Sequence, residues 1–302
     1  MSLSTHVKIV EVSPRDGLQN EKQFIATDIK VSLVDRLSAA GFENIEAASF
    51  VSPKWTPQMA DAADVMTRIA RRPGTIYSAL TPNLKGFEGA LAAGVDEVVI
   101  FGAASEAFSQ KNINCSIAES LERFEPVAQA ALAAGLRLRA ALSCAFGCPY
   151  EGKVATKQVV AVAQKLAAMG CHEIDIADTI GVGTPKHVSQ VLCAITDAID
   201  PRKISGHFHD TYGQAIGNIV AALETGVSIF HSSVSGLGGC PYAKGATGNV
   251  ATEDVLYLLR GLDIDTGVDF DAVVDIGQWI SGHLNRAGGS RAGNASFAKR
   301  AA

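Results

Sequence analysis

Residues 39–47 read Ala39-Ala40-Gly41-Phe42-Glu43-Asn44-Ile45-Glu46-Ala47, and the change of character at Gly41 decides the architecture. Small residues suited to a helix end stop at a glycine, which accepts left-handed backbone without steric cost, and an apolar run suited to a buried parallel strand follows. The same phrase returns at Gly94, Gly135, Gly170 and Gly226. Two more strand candidates, residues 75–80 and 203–208, follow Arg71-Arg72-Pro73-Gly74 and Asp200-Pro201, and residues 7–12 open the series. Between the strands, apolar residues recur at helical spacing over 27–40, 58–70, 84–93, 116–134, 156–169, 185–199 and 213–224. Eight strand–helix units within about 230 residues, with no linker, fit an α/β (β/α)8 TIM barrel better than an open doubly wound sheet. The expectation is one catalytic domain over residues 1–302, in which about 251–302 form additional C-terminal helices and the last dozen residues, from Arg291, are frayed.

The 302 residues are 47% hydrophobic and 19% charged, enough for a sizeable core and unlike a disordered or fibrous chain. A net charge of -5 and the lack of any dense Lys/Arg cluster argue against nucleic acid as a partner. Six cysteines at irregular positions, with no Cys-x-x-Cys pair, point to a reducing compartment. A strand begins within about seven residues of Met1, leaving no room for a signal peptide, and no apolar run approaches the roughly 20 residues of a membrane span. The reading is a cytoplasmic protein with no membrane partner.

In such a barrel, chemistry belongs at the C-terminal ends of the strands. There the sequence places Arg15 and Asp16 after strand one, Glu46 on strand two, Asp175 and Asp178 on strand six, and His207 and His209 on strand seven. The two histidines are two apart on a strand, so they share a face. They are either a hydrogen-bonded pair at a strand end or two ligands of one ion, with Asp16 as a third. Without a thiolate pair nearby, such a site suits Mg2+ or Mn2+ better than structural zinc. Arg15 offers a fixed fork of donors for a developing oxyanion, or a structural ion pair with Glu46. Glu46 faces the mouth or that partner, and the mouth is favoured. Residues 235–249 hold glycines at 236, 238, 239, 245 and 248 around Cys240 and Lys244. The Walker spacing is absent, and Cys240 is either a thiol brought to a reacting substrate or an incidental surface group. Cys144 and Cys148 read as packing or pocket lining, with packing favoured for Cys144, and Cys115, Cys171 and Cys193 read as packing. A metal, an arginine, carboxylates and imidazoles fit enolate-forming carbon–carbon cleavage, with isomerisation and metal-assisted hydrolysis also open.

Several stretches carry a resemblance that covers about residues 7–260 in order: Ser13 to Glu21, Ala48 to Trp55, Gly147 to Gly152, Asp178 to Gly183, His207 to Gln214 and Gly236 to Gly245. Together they resemble the 3-hydroxy-3-methylglutaryl-coenzyme A lyase family, and the Gly-Leu-Gly-Gly-Cys-Pro loop at 236–241 separates it from related synthases. The resemblance implies divalent-metal-dependent cleavage of 3-hydroxy-3-methylglutaryl-CoA to acetyl-CoA and acetoacetate, the last step of leucine degradation, by a homodimer. It implies Asp16, His207, His209 and Asn249 as metal ligands, and Arg15 as the partner of the thioester enolate. It gives Glu46, His207 and Cys240 parts in substrate binding or proton transfer, Asp178 a supporting part, and Lys22 and Asn285 places near coenzyme A. A paralogous lyase for a bulkier substrate, such as the isohexenyl compound, shares these motifs; a catalytically silent barrel would not need them. The chain departs from the pattern at Asp175, where many members have serine, at Ala177, where they have glycine, and beyond Asn285, where the cysteine-bearing end of animal members is missing.

Overall fold

The computed structural model describes residues 3–239 and 248–301. Eight parallel strands, β1 (Lys8–Glu11), β2 (Asn44–Ser49), β3 (Ile76–Leu80), β4 (Glu97–Ala103), β5 (Arg137–Ser143), β6 (Glu173–Asp178), β7 (Ile204–Phe208) and β8 (Ile229–Ser232), close into a barrel in chain order. The seam is the pairing of β1 with β8, from Lys8 against Ile229 to Glu11 against Ser232. Helices α1 (Thr27–Ala39), α2 (Ala62–Arg68), α3 (Leu84–Ala92), α4 (Glu106–Ile113), α5 (Ile117–Ala133), α6 (Thr156–Ala168), α7 (Pro185–Thr196) and α8 (Ala215–Leu223) connect the strands. The TIM barrel read from the sequence is the fold. Gly41 ends α1 with φ 98, and a Cβ there would stand 2.5 Å from the Gly267 carbonyl oxygen. That glycine therefore ends a helix and admits the C-terminal segment beside it.

Two helical stretches differ from the expected ones. Residues 58–70 split into a 3-10 turn, Pro57–Met59, followed by α2. The long interval before β5 holds the additional α4, started by the Ser105 side chain, which accepts from the Phe108 amide, and stopped by Asn114 in left-handed backbone (φ 51).

Successive strand residues face opposite ways. Ile45, Val98, Leu138 and Ile174 face outward into a continuous core with Leu33, Leu37, Val127 and Leu166 of the helices. Each such side chain contributes about 1.5–3 kcal/mol by leaving water. The inward face differs from the branched aliphatic layers usual in this fold. At its centre lies Arg139, with 0% exposure. Its Nη2 donates to Glu46 Oε2 at 2.5 Å and to Ser78 Oγ at 3.2 Å, and its Nε donates to Glu97 Oε1 at 3.0 Å. Below it, Glu173 accepts from Lys8 Nζ at 2.7 Å and faces His231 Nε2 at 3.0 Å. Burial alone would raise the Glu97 carboxyl, but Arg139 and His172 hold it down at about 2.

The C-terminal part forms α9 (Thr252–Gly261), α10 (Phe270–His283) and α11 (Arg291–Ala301). The expectation of a frayed end is wrong for residues 291–301. Asp254 on α9 accepts from Ser290 Oγ at 2.8 Å and from the Ala292 amide at 2.7 Å, so a buttressing carboxylate sits at the positive end of α11. Glu253, also buried, accepts from the Ser235 amide through both oxygens at 2.9 and 3.1 Å. Burial, with Glu11 nearby, pushes its carboxyl up to about 8.

Two outcomes follow from the buried charges. Arg139→Met leaves Glu46 and Glu97 ionised in the barrel without their cation and is expected to lose about 3–5 kcal/mol in denaturant unfolding. A loss below about 1 kcal/mol would show that the interior tolerates those carboxylates without Arg139. Glu253 has a folded pKa above its unfolded value, so its stability contribution is complete below about pH 4.5 and is lost as pH rises through about 8. Glu253→Gln should therefore melt higher than the parent at alkaline pH and level with it in acid, and a gap that stays constant with pH contradicts this.

Candidate active site

The chain leaves β1 in a single π turn, Ser13–Gly17, in which the Val12 carbonyl accepts from the amides of Asp16 (2.8 Å) and Gly17 (3.1 Å). Such turns are rare and concentrate at functional sites. A Cβ on Gly17 would lie 2.8 Å from Leu237 Cβ and 2.9 Å from Ser233 Oγ, so only glycine lets the turn lie against the end of β8. Arg15 and Asp16 are thereby set over the barrel mouth.

Arg15 Nε donates to Glu46, and its Nη1 donates to Asp16 Oδ1 at 2.6 Å. Glu46 is 1% exposed and does not line the cavity, because Arg15 covers it from above and Arg139 from below. Its orientation is thus the ion-pair alternative rather than the open mouth. Burial would raise the Glu46 carboxyl, but Arg15 and Arg139 keep it below the usual range.

His207, on β7, and His209, just beyond it, project to one face with ring centroids 5.4 Å apart. With Asp16 they form a group whose ligand atoms all lie within 4.8 Å of one another. Asn249 joins them because residues 248–251 run between the ends of β7 and β8. The Val250 amide donates to the Phe208 carbonyl at 3.1 Å and the Ser233 amide to the Val250 carbonyl at 3.1 Å. Asn249 Oδ1 lies 2.7 Å from His207 Nε2, and its Nδ2 donates to Asp16 Oδ2 at 2.8 Å and to the Leu237 carbonyl at 3.1 Å. Burial would raise Asp16, but Arg15 and the two imidazoles bring it to about 2. His209 is lowered to about 4 by burial and by His207, so it is neutral at pH 7. Burial pulls His207 down as well, yet Asp175 and Asp16 carry it up to about 9. His209 Nδ1 is buried and has no hydrogen-bond partner among the described residues. An orphaned imidazole nitrogen beside an ionised carboxylate and an amide oxygen fits a divalent cation.

Arg15, Asp16, His207 and His209 form one wall of a cavity of about 860 Å3, and Asn249 stands behind them, outside its lining. Asp175 joins that wall, and Leu80, Pro82, Phe101, Ile113 and Ala141 form an apolar part of the remainder, beside polar groups such as Asn83 and Ser143. Lys111, from the unforeseen α4, and Asn114, which stops it, also line it. Asp178 does not. It accepts from the amides of Val182 (3.0 Å) and Gly183 (2.8 Å), closing the turn after β6, and burial pushes it up to about 6 against those donors. Lys22 and Asn285 are exposed and outside the cavity wall. Their segments are neighbours, joined by Gln23 Nε2 to the His283 carbonyl at 3.1 Å and by Arg286 to Glu21 at 3.0 Å. Cys240 and Lys244 lie outside the described residues. Cys144 and Cys148 are buried with Ala103 and Phe108, and Cys148 Sγ accepts from Ser105 Oγ at 2.9 Å, which makes both packing residues. Cys193 is exposed on α7 rather than packed.

A family model described as HMGL-like matches residues 6–280. Among curated relatives, the 3-hydroxy-3-isohexenylglutaryl-CoA/hydroxy-methylglutaryl-CoA lyase of Pseudomonas aeruginosa is 58% identical over 299 residues, covering 99% of this chain and 100% of the relative. The mitochondrial hydroxymethylglutaryl-CoA lyase of Rattus norvegicus is 56% identical over 295 residues, 98% of this chain and 91% of the relative. The solved hydroxymethylglutaryl-CoA lyase of Pseudomonas aeruginosa superposes with a TM-score of 0.97 at 58% identity, covering 99% of this chain and 100% of that one.

Because His207 in the ion-free site carries a proton to about pH 9, a cation must displace it. Calorimetric titration with Mn2+ is expected to show tighter binding as pH rises from about 6 to 9, with proton release read from the dependence of the heat on buffer. Affinity that is flat across that range contradicts the assignment of His207 to the ion.

Proposed function

The chain belongs to the HMGL-like family, and from that membership and the donors at the barrel mouth we propose that it is a lyase splitting 3-hydroxy-3-methylglutaryl-CoA into acetyl-CoA and acetoacetate. The observation that carries this reading is the junction of Arg15 with the Asp16, His207 and His209 group on one cavity wall. The reaction breaks the C2–C3 bond. Its electron pair passes to C2 as a thioester enolate, the C3 hydroxyl loses its proton and becomes a ketone, and C2 regains a proton. No oxidant or water is consumed.

Asp16, His207, His209 and Asn249 would hold the cation, Mg2+ or Mn2+, which when bound polarises the substrate oxygens. Arg15 opposes the negative charge that develops on the thioester oxygen, and Glu46 keeps its guanidinium from turning away. We assign proton transfer to Cys240, and to Asp178 the bracing of the turn that brings Thr179 to the cavity wall. Lys22 and Asn285, on adjoining exposed segments, are assigned to coenzyme A. A lyase solved in complex with coenzyme A and 3-methylmalate, from Acinetobacter baumannii, is 35% identical with a TM-score of 0.93, covers 98% of this chain and 96% of that one, and supports an acyl-CoA substrate.

A second reading, a lyase that also takes a 3-isohexenyl substituent, is favoured by the dual name of the Pseudomonas aeruginosa relative and by the apolar side of the cavity. We further infer a single catalytic domain that pairs as a homodimer in the cytoplasm. Among the described residues no helix is long and apolar enough to cross a membrane, and Cys115, Cys148, Cys171 and Cys193 are free thiols.

The protein, supplied with Mg2+ or Mn2+ and offered the methyl- and isohexenyl-branched substrates, is expected to release acetyl-CoA with the higher kcat/KM from the methyl compound. Release from the isohexenyl compound as well establishes the second reading, and no release from either refutes both. His207→Ala should abolish turnover in a folded protein, and Cys240→Ala should slow turnover without lowering the unfolding midpoint. Parental rates in the first variant would remove His207 from the mechanism.

A further inference from the structure

Directly under the Asp16, His207 and His209 group lies another, formed by Asp175, His207 and His231, whose ligand-type atoms also fall within 4.8 Å of one another. Asp175 Oδ2 stands 3.4 Å from His207 Nδ1 and 3.3 Å from His231 Nδ1. Its other oxygen, Oδ1, is buried with no hydrogen-bond partner among the described residues, and the residue lines the cavity wall. His207 turns its other nitrogen, Nε2, toward Asn249 Oδ1 at 2.7 Å and Asp16 Oδ2 at 4.0 Å. One imidazole thus has a carboxylate on one nitrogen and the ion-holding donors on the other.

A neutral imidazole carries a single proton, and the nitrogen without it is the one able to ligate. A carboxylate facing Nδ1 keeps the proton on that side, leaves the Nε2 lone pair available and restrains rotation of the ring. We propose that Asp175 is a positioning residue of this site: it accepts the Nδ1–H of His207 and so presents Nε2 to the divalent cation. This rests on the metal-dependent reading above but not on the identity of the substrate.

The competing arrangement is an ion seated among Asp175, His207 Nδ1 and His231 Nδ1. Arg139 argues against it, because its Nη1 lies 3.3 Å from both ring nitrogens of His231 and places a permanent positive charge against the same pocket. His231 is also engaged by Glu173 Oε1 at 3.0 Å, on the side away from Asp175.

The test uses the full chain, freed of metal and titrated with Mn2+ in a calorimeter, in parental form and as Asp175→Asn, Asp175→Leu and Asp175→Ala. Loss of the acceptor in the Leu and Ala variants should weaken Mn2+ binding about ten- to hundred-fold. Asn, which keeps a neutral oxygen in the same place and the same volume, should lose less. Leu fills more space than Ala, so equal losses in the two separate an acceptor from a packing role. Nitrogen-15 spectra of the protein loaded with diamagnetic Mg2+ should show His207 protonated at Nδ1 in the parent and a tautomer mixture in Asp175→Leu. Unchanged Mn2+ affinity in all three variants overturns the proposal, even if turnover falls, since Asp175 would then act on substrate. Two Mn2+ ions per parental chain, one of them lost in the variants, overturns it too, because Asp175 would be a ligand. No substrate enters these measurements, so a failure of the lyase reading leaves their outcome intact.

Discussion

A guanidinium buried at the centre of a barrel cannot shed its charge, so Arg139 dictates the placement of much around it. Desolvating it costs several kcal/mol, recovered only where carboxylates meet it with good geometry. Glu97 and Glu46 do so at 3.0 and 2.5 Å. Glu46 then has a second oxygen to satisfy, and Arg15 satisfies it. Arg15 in turn reaches Asp16. The line from Arg139 through Glu46 and Arg15 to Asp16 runs from the barrel interior to its mouth, and each member is positioned by the need to neutralise the one below.

This order explains why the mouth is built by an unusual turn. A Cβ on residue 17 would meet the start of the loop after β8, and the π turn supplies the extra residue that sets Arg15 above Glu46 and Asp16 beside His207. The same field acts on the imidazoles. His209 is left neutral and in need of a partner, while His207 is charged until a cation replaces its proton. Binding an ion there exchanges one positive charge for another of higher valence, in a pocket whose carboxylates are already ionised.

The barrel was legible because Gly41, Gly94, Gly135, Gly170 and Gly226 all take positive φ at helix ends, a local demand that glycine meets at least steric cost. Asp16, His207 and His209 were legible because strand period and barrel closure bring them together. Asn249 came only from the resemblance, since its approach depends on the path of residues 248–251. The ionic interior went unread, although Arg137 and Arg139 alternate with Leu136 and Leu138 along β5, and Glu173 and Asp175 sit two apart on β6. Polar residues at inward positions of a buried parallel strand are a usable signal, because such strands otherwise run apolar on both faces. The helix α4 was hidden in an interval counted as one unit, and α11 was taken for a tail because its anchor, Asp254, lies far away in sequence.

The return of the chain through Asn249 has a consequence for how such a site tolerates a change of length. Both stems of the glycine-rich segment are tied at the barrel: Leu237 accepts from Asn249, and Gly248 lies so close to Gly238 that a Cβ would fall 2.3 Å from its carbonyl oxygen. The cation donors are thus fixed below the point where the stems meet. Joining two such stems by a longer or shorter segment changes the free energy only slowly with length. A change of length between the stems therefore leaves the coordination geometry as it is.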